Sequence, residues 1–218
     1  MAVSVRIIES VPQIKEKIFK ALFPDVLKYF ESRKFVIEEG FTELIRNKFI
    51  ASDTYRSLTT GRLWFEFGFS DPVGFATQVI VELLRFLDVK VIASKGDSRF
   101  GRFLNLKAIA PAAIDELISS PNASYPSKGG PVNWLEWLLT RGTQEVVATH
   151  YIKFGNFKTS RSGGALMAKL NSKKTGVQNA KAYSVSPSFA GTPNDNWITK
   201  TLQTVTEQEV EQIFSKIF

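Results

Sequence analysis

The period of the apolar pattern changes twice along this chain, and that order limits the architectures open to it. Up to about residue 87 apolar side chains recur every three or four positions, between Gln144 and Val185 they mostly alternate, and helical spacing returns near the C-terminus. Three-to-four spacing marks a helix with one buried face, whereas alternation marks a strand with one buried side. Helices, then strands, then helices is not the interleaved order of βαβ units. It predicts an α+β fold: N-terminal helices, a mostly antiparallel β-sheet with a long hairpin, and C-terminal helices. We read residues 1–218 as a single α+β domain, with 1–50 a helical N-terminal extension.

Local signals sharpen this outline. In 11–50, Ile14, Ile18, Ala21 and Leu22 make an apolar stripe, Pro24 is expected to break or kink the helix, and Gly40 to interrupt the run that follows. Ser52–Gly68 reads as turn-rich and then aromatic. Asp71-Pro72 pairs an N-cap with proline at the first helical position, and Val73, Ala76, Val79, Ile80, Leu83, Leu84 and Leu87 predict a helix over 72–87. Strand character follows at 89–94 and 103–110, and Pro111 opens a short helix to about Ile118. Residues 119–131 read as a loop, a boundary or a mobile arm. Trp134–Leu138 predicts a short helix, Gln144–Phe154 a long strand, Gly163–Leu170 a second and Tyr183–Val185 a third. Residues 171–181 read as a flexible basic hairpin tip or insertion. Thr206-x-x-Glu209 has the form of a capping box before the last helix.

Composition removes several kinds of chemistry. The chain has 218 residues, 44% of them hydrophobic and 22% charged, as in folded globular proteins rather than disordered ones. No cysteine is present, so thiolate metal sites and cysteine nucleophiles are excluded, and one histidine, His150, excludes a multi-histidine metal site. His150 lies in an expected strand without a G-x-S-x-G elbow and reads as an ordinary strand residue. Ser160–Gly164 lacks the phosphate-loop pattern and reads as a tight turn. Glu38/Glu39 and Asp195 read as a solvated helix face and a helix-cap neighbour. We therefore expect no catalytic residue, no metal and no cofactor. No apolar run is long enough to span a membrane, and the first residues have no secretory pattern, so neither a membrane nor export is expected.

Charge is distributed unevenly. The 28 basic and 21 acidic side chains leave +7, and residues 146–194 hold no acidic residue. That interval carries Lys153, Lys158, Arg161, Lys169, Lys173, Lys174 and Lys181. Three readings stay open: a solvated basic face, contact with nucleic acid or another anion, or an acidic neighbouring subunit. Phe154, Phe157 and Tyr183 are too dispersed for a base-stacking platform, so sequence-specific reading is not expected. Trp64, Trp134, Trp137 and Trp197 suit either the core or an assembly interface.

In the C-terminal half, Trp134–Leu139, the strand ending HYIKFG, the turn SRSGGALM (160–167) and the block VSPSFAGTPNDNWITKTL (185–202) stand in order, and DTYRSLTTGRLWFEFGFSDP (53–72) precedes them. Together these resemble virion proteins of tailed bacteriophages of the neck, head–tail connector and tail-completion type. The resemblance touches most of residues 50–205. It implies a non-enzymatic homo-oligomer, a hexamer or dodecamer, ringed around the DNA channel. Its partners would be portal or adaptor and tail proteins, in a virion assembled in the host cytoplasm. The large helical prefix favours a neck role over a compact tail terminator, and 171–181 is longer and more basic than a minimal hairpin turn. On this reading Lys158, Arg161, Lys169, Lys173, Lys174 and Lys181 face DNA weakly and without specificity, and Trp134, Trp137, Trp197 and Phe189 lie at subunit interfaces. The alternative is a non-catalytic accessory protein binding DNA independently of sequence through residues 153–181.

Overall fold

The computed structural model describes residues 10–86, 88–91, 104–107, 111–127, 130–170 and 181–216. Two long helices, α1 (Val11–Ser32) and α2 (Lys34–Ala51), are followed by the short α3 (Asp53–Thr59) and α4 (Arg62–Phe67) and by α5 (Pro72–Arg85). Strands β1 (Asp88–Val91) and β2 (Leu104–Lys107) come next, then α6 (Pro111–Ile118), β3 (Tyr125–Ser127), β4 (Gly130–Val132) and α7 (Trp134–Leu139). The chain continues through β5 (Glu145–Val147), β6 (His150–Phe154), β7 (Ala165–Lys169) and β8 (Tyr183–Ser184) to α8 (Trp197–Leu202) and α9 (Glu207–Ser215). This is an α+β fold with helices at both ends, as the periodicity predicts.

The helix-start signals act as expected. The Asp71 carboxylate accepts from the Gly74 backbone N–H at 2.9 Å, and Pro72 occupies the first turn of α5, where its missing donor costs nothing. Thr206 and Glu209 form a reciprocal capping box at α9.

Other elements depart from the expectation, each for a physical reason. Pro24 does not break α1: its side is exposed, so water can serve the carbonyl that loses its partner, and the break between α1 and α2 falls at Arg33. Gly40 does not interrupt α2. A Cβ there would lie 2.9 Å from Ile213 Cγ2, so the glycine permits the close approach of α9. Ser52–Gly68 is two helices rather than turns: Ser52 caps α3 by accepting from Tyr55 N–H, and Gly68, at φ 69°, ends α4. Residues 119–131 form no interdomain arm in their described part, because Ala123 and Tyr125 are buried in the core. The long strand expected over 144–154 divides at Ala148–Thr149 because its halves take different partners.

The expected single sheet is, among the described residues, four separate two-stranded antiparallel pairs: β1–β2, β3–β4, β5–β8 and β6–β7. The long hairpin is β6–β7, in register from His150 opposite Lys169 to Phe154 opposite Ala165. Residues 171–180, the greater part of the expected basic insertion, lie outside the described residues, as do the strand ends at 92–94, 103 and 108–110.

Among the described residues, two apolar clusters hold the fold. The larger gathers Phe49, Leu58, Leu63, Phe67, Phe69, Ile80, Leu83, Leu117, Trp134, Leu138 and Trp197 from α2 to α8. Phe69 is its hub: its ring meets those of Trp134 at 5.2 Å, Tyr125 at 5.5 Å and Phe75 at 5.5 Å. Each fully buried ring of this kind contributes about 1.5–3 kcal/mol by desolvation. A smaller cluster, Phe30, Ile37, Phe41 and Ile213, fastens the end of α1 and the start of α2 to α9. Lys48 on α2 reinforces it by reaching Glu209 at 2.7 Å and the Thr204 carbonyl at 2.9 Å.

Candidate functional site

An open cleft of about 1040 Å³ lies where α4, the β3–β4 hairpin, α7 and the strands β5–β7 meet. Phe65, Tyr125, Val132, Trp137, Val146 and Ile152 give it an apolar lining. Its shape follows from close backbone approaches. Gly164, at the end of the β6–β7 connection, sits against the Phe65 ring so tightly that a Cβ would overlap it, and Gly163 turns the chain at φ 75°. The expected tight turn at Ser160–Gly164 is instead the returning half of a ten-residue connection, 155–164, whose base is closed by the Gly155 N–H donating to the Gly164 carbonyl at 3.0 Å.

The ionisable groups around the cleft are already engaged with one another. Glu66 projects from α4 with its carboxylate fully buried, ion-paired with Arg62 one turn earlier and accepting from the Tyr183 hydroxyl at 3.0 Å. Burial, and then the adjacent Glu66 carboxylate, push the Tyr183 phenol well above its usual range. Arg62 also lies 5.4 Å above the Phe154 ring. One buried acid therefore ties α4 to β8, while its partner reaches β6. Arg161 caps the Tyr125 ring at 4.8 Å. Burial raises the Tyr125 phenol, and Arg161 opposes that rise. Glu136 is held by Arg141 at 2.8 Å. His150 Nδ1 and the Thr149 hydroxyl are 2.8 Å apart, and among the described residues no carboxylate orients the ring. The ion pairs and hydrogen bonds of Glu66, Arg62 and Tyr183, and of Glu136 and Arg141, rigidify the walls of the cleft.

Of the residues expected to face DNA, Lys158, Lys169 and Lys181 are exposed, as is Lys153, and none of these four has an ion-pair partner among the described residues. Lys153 and Lys169 stand on the β6–β7 ribbon and Lys158 in its connection, with Lys181 just before β8. The register places Lys153 opposite Leu166 and Lys169 opposite His150, so the two lysines project from opposite faces of the ribbon. Arg161 is turned to Tyr125, and Lys173 and Lys174 fall outside the described residues.

The interface expectation needs correction for two tryptophans. Trp134 is 0% and Trp197 3% exposed, and both belong to the large core. Trp134 Nε1–H donates to the Asn122 carbonyl at 2.9 Å and Trp197 Nε1–H to Ser52 Oγ at 2.9 Å, so even their polar edges are committed inward. Trp137 and Phe189 are half-buried against the same core and keep an exposed edge. The sequence reading missed Glu66, although a lone carboxylate inside the apolar run Leu63–Phe69 was available as a signal.

No metal-holding cluster of acidic or histidine side chains occurs among the described residues, and no described helix is long and apolar enough to cross a membrane. Comparison with protein-family models, with curated proteins and with solved structures finds no match.

Proposed function

We propose that this chain is a structural virion protein of a tailed phage, one subunit of a ring in the neck around the DNA channel. The observation that carries the proposal is the set of exposed lysines Lys153, Lys158, Lys169 and Lys181, without ion-pair partners among the described residues. They lie in an interval devoid of carboxylates. The resemblance of the SRSGGALM and FAGTPNDNWIT blocks to neck and tail-completion proteins supports the same reading. Dispersed cations on both faces of a thin ribbon suit weak, sliding contact with a phosphate backbone. They do not suit a convergent pocket, and transit of a genome requires contacts that do not hold.

The test joins microscopy with binding. Electron microscopy of the purified protein is expected to show closed rings, with the subunit located by labelling at the head–tail junction of particles. Free subunits should bind duplex DNA weakly. Replacing Lys153, Lys158, Lys169 and Lys181 together by Gln should leave folding intact and alter genome retention. Particles that assemble and hold their genomes normally with all four replaced would defeat the channel role. The accessory-protein reading makes a different forecast: tight duplex binding by the monomer, weakening with salt by about 0.9 log units per phosphate contact for each decade of salt.

A further inference from the structure

We propose that the N-terminal half of α1 docks on the outer face of α2 of a second copy of this chain, a head-to-tail contact that propagates from subunit to subunit. This rests on the assembly half of the proposed function and is independent of its DNA half.

Among the described residues, none of Val11–Leu22 belongs to either apolar cluster, which α1 joins through Val26, Tyr29 and Phe30 near its end. Val11, Ile14, Ile18 and Leu22 recur at i, i+3, i+7 and i+11, a single stripe. Within it Val11 is 65%, Ile18 53% and Leu22 50% exposed. A dozen residues of helix are marginal in water on their own, so an exposed apolar stripe along them is stabilised by cover. It also continues the packed cluster around Phe30, Phe41 and Phe214, so that an occupant would extend an existing apolar seam.

The occupant is indicated by what the rest of the chain leaves open. Along the outer face of α2, Phe35, Glu39, Glu43, Arg46 and Ile50 are exposed at i, i+4, i+8, i+11 and i+15, with Val36 beside them. Phe35, at 73%, is the most exposed of the large apolar residues described. The first half of this face is apolar and acidic. The N-terminal half of α1 is apolar and offers Lys15 beside its stripe, while Lys20 pairs with Glu16 at 3.0 Å. Both surfaces are exposed in one chain, so neither covers the other within it. Stripe-to-stripe pairing of two α1 helices would bring their lysines together, which like-charge repulsion opposes. Pairing α1 with α2 sets Lys15 against Glu39 and Glu43, and Ile18 and Leu22 against Phe35 and Val36. Such a contact uses two different patches, so it closes into a ring or runs on as a filament.

Two variants and their mixture test it by light scattering after size exclusion, without DNA. One carries Ile18→Asp with Leu22→Asp; the other carries Phe35→Asp. The sites are exposed, and circular dichroism checks that each protein stays folded. The wild type is expected to gain mass with concentration and each variant to remain monomeric. Their equimolar mixture should stop at a one-to-one dimer, since one supplies an intact α1 and the other an intact α2 face. Lys15→Glu should weaken association and Lys15→Glu with Glu39→Lys restore it. A wild type that stays monomeric at its highest soluble concentration overturns the proposal. So do variants that associate like wild type, or a mixture that remains monomeric. Association without any DNA contact would leave this inference standing and remove the channel role.

Discussion

Replacing Asn196 by alanine should cost about 2–4 kcal/mol of folding stability, although the residue is one polar side chain at the start of a six-residue helix. Asn196 is 0% exposed. Its Oδ1 accepts from the Ile198 N–H at 3.0 Å and the Thr199 N–H at 3.1 Å, and its Nδ2 donates to the Thr192 carbonyl at 2.9 Å and the Pro193 carbonyl at 3.3 Å. Thr192 and Pro193 are exposed residues, so water can recover their carbonyls. The N–H groups of α8 have no such recourse at buried Ile198. Loss of the cap accounts for about 1 kcal/mol and a stranded buried donor for about 1–3 more. With a urea m-value of about 2 kcal/mol/M, the midpoint should fall by about 1–2 M at unchanged slope. Asn196→Asp separates the two halves of the side chain. It keeps the acceptor for the two N–H groups but turns a second acceptor toward two carbonyls, so it should recover the cap and still fall short of wild type. An alanine variant within about 0.5 kcal/mol of wild type would refute the account, because surface substitutions alone do that little.

Three further outcomes follow from single contacts. A Cβ at Gly191 would lie 1.8 Å from the Leu138 carbonyl oxygen, backbone against backbone, so Gly191→Ala should separate α7 from the segment before α8 and lower thermal stability at least as much as Asn196→Ala. The Tyr183 phenol holds its proton above pH 10.0 when folded and loses it near there when unfolded, so stability should decline as pH rises past about 10. Tyr183→Phe should flatten that decline without abolishing it, since Tyr125 is shifted the same way, and an unchanged slope in denaturation at pH 9–11 would show the reasoning wrong. Glu209 is lowered from 4.5 to about 2, first by the hydrogen bond from Lys48 and then by the Thr206 backbone. Its contribution is complete above about pH 4.5 and fades as pH drops through about 2; an NMR titration placing this carboxyl near 4.5 would exclude the Lys48 contact in solution.

Signals that act within a few residues were legible in the sequence, and those set by distant partners were not. Asp71 with Pro72 and Thr206 with Glu209 specify helix starts through side chains three residues away, and both operate as read. Pro24 and Gly40 carry local penalties that the surroundings cancel, one by exposure and the other by the arrival of Ile213 from α9. The division of 144–154 into β5 and β6 depends on where β7 and β8 come to lie, which alternation alone does not encode. Trp134 and Trp197 offer the same ambiguity in sequence that any tryptophan does; the partners Asn122 and Ser52 decide it for the core. For the candidate site, the charge interval was visible at once. Its dispersal over two ribbon faces required the register.

The most recognisable blocks of this chain turn out to be joints. In FAGTPNDNWIT, Gly191 lets the backbone meet α7, Asn196 caps α8, and Trp197 plugs the core against Phe49 at 5.4 Å. In SRSGGALM, Gly163 supplies the left-handed turn and Gly164 the contact with Phe65. A substitution in either block perturbs several packed elements, so loss of assembly in such a variant would report failed folding rather than a lost partner. Surfaces able to meet another molecule carry weaker signatures: lysines on a ribbon, Ile18 and Leu22 on α1, Phe35 on α2. Their exposure makes their replacement nearly neutral for the monomer. A phenotype there, with stability unchanged, is evidence about function that no variant of the conspicuous motifs can supply.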